Sequence, residues 1–120
     1  MVDMFMKLLA EQQAGQQLDH RVRAVLHHIE EDLAREITVD NLAKVACLSP
    51  TQFKKIFKQS TGLSVLQYVT KQRMEKAKAL LTHTDIPVQL IAERVGYADL
   101  SAFSRRFSLS FGLSPRELRG

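Results

Sequence analysis

Tryptophan is absent from these 120 residues, cysteine occurs once, and proline and glycine number only three and five. A single thiol, Cys47, cannot build an internal disulfide framework or a four-cysteine zinc site, and it suits a reducing compartment. So few turn residues argue against an all-β sandwich. No apolar run approaches the ~20 residues that a membrane span requires, so no membrane partner is expected. The opening segment, Met1 to Leu9, does not read as a signal peptide. Lys7 cuts its apolar stretch, Asp3 stands where positive charge belongs, and no small-residue cleavage site follows. There is no glycine-rich phosphate loop. His27 and His28 are adjacent, which turns their rings about 100° apart on a helix, and His20 and His83 are isolated. Neither a metal nor any other cofactor is therefore expected. Cys47 has no His or Asp partner placed to activate it and reads as a small buried hydrophobe. Nothing here suggests an enzyme.

What is present is ordinary globular composition, 45% hydrophobic and 25% charged, with the charge unevenly distributed. Residues 1–40 hold 4 Lys/Arg against 8 Asp/Glu, whereas residues 41–120 hold 13 against 5. A basic module behind an acidic leader points to a polyanionic partner for the later residues. The acidic run Glu30-Glu31-Asp32 reads as a solvated helix face.

Residues 1–18 read as a leader or linker remnant, with Gly15 interrupting a Gln-rich stretch. From Asp19 onward the spacing predicts helices throughout. Val22, Leu26, Ile29 and Leu33 make a first stripe. Thr38 opens a short helix carrying Leu42, Ala43 and Ala46, which stops at Cys47-Leu48. Ser49-Pro50 starts another, with a hydroxyl at the N-cap and proline at the first helical position. It carries Phe53, Ile56 and Phe57 and ends at Gly62. A long helix over about 64–81 holds Leu66, Tyr68, Val69, Ala77, Leu80 and Leu81. Pro87 begins a helix with Leu90, Ile91, Ala92 and Val95 that Gly96 ends. Asp99 caps one with Phe103 and Phe107 that Gly112 ends. Ser114-Pro115-Arg116-Glu117 forms a capping box. The expected fold is all-α, about seven helices.

An internal repeat organises these helices. Phe53 to Ser64 and Phe103 to Ser114 are offset by 50 and identical at six of twelve positions. Leu42-Ala43 matches Ile91-Ala92 at an offset of 49. Short helix, tight turn and a second helix with two inward aromatics is the layout of a helix-turn-helix. A wheel at about 100° per residue puts Phe53 with Phe57, and Phe103 with Phe107, on one stripe. Thr51, Lys54, Lys55 and Lys58 face away in the first copy, and Ser101, Ser104, Arg105 and Ser108 in the second. Lys55 and Arg105 occupy matched positions. A guanidinium such as that of Arg105 can fork to guanine O6 and N7, and small Ser101 and Ser104 let the helix sit close. Arg106 falls at the rim, placed for a phosphate or a local carboxylate. Cations on one helix are usually just solvated; the same display made twice is harder to explain that way.

The second copy, Ile91 to Phe107 followed by Phe111-Gly112-Leu113-Ser114-Pro115-Arg116-Glu117-Leu118-Arg119, resembles the signature of the AraC/XylS family of bacterial transcription regulators. The first copy fits as well, as does the long helix with Tyr68, Arg73, Ala77, Leu80 and Leu81, so the resemblance covers residues 20–119. It implies two helix-turn-helix lobes, about 19–63 and 82–120, joined by a linker helix over about 64–81. Their function would be sequence-specific binding of double-stranded DNA in successive major-groove segments. By position, the groove-facing residues would be Thr51, Lys54 and Lys55 in the first reading helix, and Leu100, Ser101, Ser104 and Arg105 in the second; Lys58 and Arg106 complete the expected DNA surface. Leu113 and Leu118 take packing positions, Leu118 standing where the family often has an aromatic. The resemblance further implies RNA polymerase as a partner, homodimerisation through a domain outside this chain, and a cytoplasmic, nucleoid-associated location. A linker of that length spans about 27 Å against ~34 Å for one DNA turn, so a bent duplex is expected. A duplex that stays straight in phased gel mobility would refute this. The competing reading is a helical protein-interaction module without DNA specificity. The DNA half of a methyl-accepting repair regulator would need an upstream cysteine cluster that the sequence lacks.

Overall fold

The computed structural model describes residues 19–120, and the expected leader lies outside them. Among the described residues there are seven α-helices and no strand. They are α1 (His20–Glu31), α2 (Val39–Ala46), α3 (Pro50–Thr61), α4 (Val65–His83), α5 (Val88–Arg94), α6 (Leu100–Phe111) and α7 (Pro115–Arg119).

The helix starts follow from local chemistry. Thr38 Oγ1 accepts from the Asn41 N–H at 3.1 Å, Ser49 Oγ from Gln52 at 3.2 Å, and the Asp99 carboxylate from Ser101 at 2.9 Å. Each satisfies an amide that the first helical turn would leave without a partner. At α7 the capping box closes in both directions. Ser114 Oγ takes the Glu117 N–H at 3.0 Å and Glu117 Oε1 takes the Ser114 N–H at 2.7 Å. The α1 stripe differs from the expected one: Val22, Val25 and Ile29 are buried while Leu26 is half-buried. Leu33 is also buried, but beyond the helix end. The long helix runs two residues further than expected. Thr82 and His83 do not oppose helix, and Thr84 finishes it, donating to the Leu80 carbonyl at 2.6 Å and accepting from the Ile86 N–H.

The chain forms two compact units. The first comprises residues 19–28 and 38–65. Here α2 packs on α3, and Leu42, Ala43, Ala46, Phe53 and Phe57 are buried. The rings of Phe53 and Phe57 lie 5.6 Å apart in tilted contact, a favourable aromatic geometry. The second comprises residues 29–37 and 66–120. Its core joins Met74, Ala77 and Leu81 of α4 to Ile91, Ala92, Val95, Phe103 and Phe107. Tyr97, Phe103, Phe107 and Phe111 stack in succession at centroid distances of 5.7, 5.9 and 4.8 Å.

Two of the sequence's apolar assignments fail. Leu66 and Leu90, read with the buried stripes of their helices, are exposed. Met74, outside the expected stripe, is a buried core residue of α4. Cys47 is exposed, not buried. Its backbone is left-handed, φ 58°, because it closes α2: the Leu48 N–H reaches back to the Ala43 carbonyl at 3.0 Å. The second copy closes in the same way. The Tyr97 N–H reaches the Ala92 carbonyl at 2.8 Å, and Gly96 is the left-handed residue at φ 97°.

Candidate nucleic-acid interface

Each unit presents one helix whose two faces differ sharply. In α3, Phe53 and Phe57 are 0% exposed, while Thr51, Lys54, Lys55 and Lys58 are all exposed. In α6, Phe103 and Phe107 are 0% exposed, while Ser101, Arg105 and Arg106 are exposed. The inward phenylalanines hold each helix by its back. Ser104 is half-buried, and Leu100 packs partly against the core of the second unit. Arg106 stands in solvent with no carboxylate partner among the described residues. Gln59, one turn beyond Lys55 on the same face, is exposed as well, and its i+4 spacing marks it in the sequence.

The helices end alike. Gly62 and Gly112 both take φ 80°, and their amides bond the Lys58 and Ser108 carbonyls at 2.8 Å. In the first copy Thr61 tightens this turn further, its Oγ1 accepting the Leu63 N–H at 3.1 Å. In the second copy the equivalent position is Phe111, whose ring packs on Phe107 and lies 5.0 Å beneath the Lys78 ammonium.

Two arginines hold the frame of the second unit. Arg73 of α4 donates from Nε to the Leu33 carbonyl and from Nη2 to the Arg35 carbonyl, both at 3.0 Å. Gly96 lies against it. A Cβ there would meet Arg73 Cζ and the Leu33 carbonyl oxygen at 2.9 Å. Arg119 gathers the α4–α5 connection, donating to the carbonyls of Leu81 (3.4 Å), Thr84 (3.1 Å) and Ile86 (2.6 Å). A planar fork of donors suits carbonyls converging from different residues, where a single ammonium would not reach them. The sequence offered no sign of these partners, because they lie 33 to 40 residues away. In the same unit Tyr68 faces Glu30, and burial together with that carboxylate raises its phenol above the ordinary value.

Among the described residues no three His, Cys, Asp or Glu side chains are grouped to hold a metal ion. No helix there is long and apolar enough to cross a membrane.

A family profile described as "Helix-turn-helix domain" matches residues 42–120. The chain is 37% identical over 103 residues to the arabinose operon regulatory protein of Escherichia coli (strain K12), covering 85% of this chain and 35% of that one. It is similar to the solved C-terminal domain of AraT, a response regulator from Geobacillus stearothermophilus, at 36% identity and a TM-score of 0.81, over 86% of each chain. It is also similar to the DNA-binding domain of AdpA, a global transcriptional factor solved in complex with a target DNA, at 30% identity and a TM-score of 0.79, over 82% of this chain and 89% of that one. The chain belongs to the AraC/XylS family of bacterial transcription regulators and carries its sequence-specific, all-α DNA-binding domain. It spans about a third of the length of the curated relatives it matches.

Proposed function

We propose that α3 and α6 are the two reading helices, each laying its outward face in the major groove of duplex DNA, in successive groove segments. The observation that carries this is the doubled presentation: two fully buried phenylalanines behind, exposed cations in front, in both units. On α3, Thr51, Lys54, Lys55 and Lys58 meet the DNA. On α6, Ser101, Ser104 and Arg105 meet base edges, Arg105 forking to a guanine, and Arg106 takes a phosphate. Leu100 contributes from the first turn of α6, beside its core contact.

For the full-length protein we extend the reading to regulation at a promoter, with RNA polymerase as partner, homodimerisation through a domain outside these residues, and a place with the nucleoid in the cytoplasm. The domain itself catalyses nothing in this reading. Its relatives are regulators, one of them named a transcriptional activator.

The test is selection of bound duplexes from a random pool. The expected product is one preferred site with two blocks about 10 base pairs apart, centre to centre. A protein-interaction module would return no consensus and a shallow salt dependence.

A further inference from the structure

A groove of about 810 Å³ opens within the second unit, between α4 and α6. Its floor is apolar: Met74 is buried, and Tyr97 and Phe111 pack against the unit's core. Its walls carry Leu66 on α4 and Leu109 on α6, which are 76% and 75% exposed, the two most exposed large hydrophobics among the described residues. Leu66 has no part in the DNA surface described above; Leu109 stands one turn beyond Arg105, where the first copy has Gln59. The rim is cationic: Lys71, Arg105 and Arg106 are exposed there against a single acid, Glu75. The remaining cation, Arg73, is already engaged with the Leu33 and Arg35 carbonyls.

We propose that this groove docks an acidic amphipathic helix of a partner protein. Two helices flanking an apolar trough accept a third that inserts residues at i, i+4 and i+7, and the excess of positive charge on the rim selects carboxylates on the flanks of that helix. Arg105 lines the groove and also belongs to the reading face of α6. A bound acidic helix would therefore draw Arg105 away from DNA, making the two ligands mutually exclusive at the second unit. This last consequence rests on the reading of α6 given above; the docking itself does not.

Displayed libraries of 16-residue peptides, panned against the purified chain, test the proposal, with the winning peptide synthesised and its binding followed by fluorescence anisotropy. The expected consensus has apolar residues at i, i+4 and i+7 with Asp or Glu beside them. Leu66→Ala combined with Leu109→Ala should weaken the peptide at least about tenfold, and Lys71→Gln roughly threefold. Leu66→Ala alone, which adds no charge and lies on α4 away from the reading face of α6, should weaken the peptide yet leave affinity for the selected duplex within about twofold. That duplex should displace the peptide from the unaltered chain. Winners without acidic character, or binding indifferent to Leu66 and Leu109, would overturn the proposal. So would equal losses for peptide and DNA in Leu66→Ala, which would make the groove part of the DNA surface. Failure of the DNA reading would look different: a chain that takes the peptide through the groove but binds no duplex.

Discussion

Cys47 shows how much one backbone torsion constrains a residue. It occupies a left-handed turn that its counterpart in the second copy fills with Gly96, and its side chain is exposed. A non-glycine residue in that region carries about 1 kcal/mol of strain, and no buried contact of the thiol opposes its removal. Cys47→Gly is therefore expected to stabilise the first unit by roughly 0.5–1 kcal/mol, read as a higher midpoint in thermal unfolding. Gly96 is the opposite case. Besides φ 97°, its missing Cβ leaves room for the Arg73 guanidinium, so Gly96→Ala should cost about 2 kcal/mol or more. Asp19 offers a pH signature. Its hydrogen bond to the Arg21 side chain holds the carboxyl well below the usual carboxylate range. The folded value being depressed, the stabilisation is complete above the unfolded value of about 3.9 and is lost as pH falls through the folded one. The difference in melting temperature between the parent chain and Asp19→Ala should be constant near neutrality and shrink below pH ~4. Arg105→Ala, at the proposed reading face, should cost ~1–3 kcal/mol in DNA affinity and relax preference at one base position. A loss equal on every sequence would make Arg105 a phosphate contact instead.

At the scale of elements, the helix ends were legible because they depend on neighbours in the chain. Thr38, Ser49, Asp99 and Ser114 cap as their residue types demand, and Gly62 and Gly112 terminate as expected. The buried phenylalanines were legible because they recur at helical spacing in two aligned copies. Phe57→Ala or Phe107→Ala should each remove ~3–5 kcal/mol from its unit, and unchanged unfolding in either would contradict the packing seen here. What the sequence did not disclose was any partnership across distance. Leu66 and Leu90 are apolar residues on amphipathic helices, and only the packed structure says that solvent covers them. The Arg119 clasp on Leu81, Thr84 and Ile86 joins residues more than 30 positions apart. Its loss in Arg119→Ala should cost about 2 kcal/mol, since charged donors to carbonyls are each worth more than neutral ones. Cys47 departs from the expected burial for a different reason. Thiols are usually buried, yet the repeat already set Cys47 opposite Gly96 and so marked it as a turn residue.

At the scale of the whole molecule, 17 basic residues stand against 13 acidic, and the excess lies wholly beyond residue 40, where 13 face 5. DNA affinity should therefore fall steeply with salt. Each lysine of α3 that touches phosphate contributes about 0.9 to the log–log slope. Replacing Lys54, Lys55 and Lys58 together by alanine should flatten the slope by up to ~2.7, measured by titration of one duplex at several salt concentrations. The two phenylalanine pairs lie in separate units, and that separation governs how the molecule fails. A lesion at Phe57 should leave amide exchange slow in α5 and α6 while α2 and α3 lose protection. The injured regulator would then be a one-handed reader, folded on one side and still able to grip half an operator, at a fraction of its former discrimination.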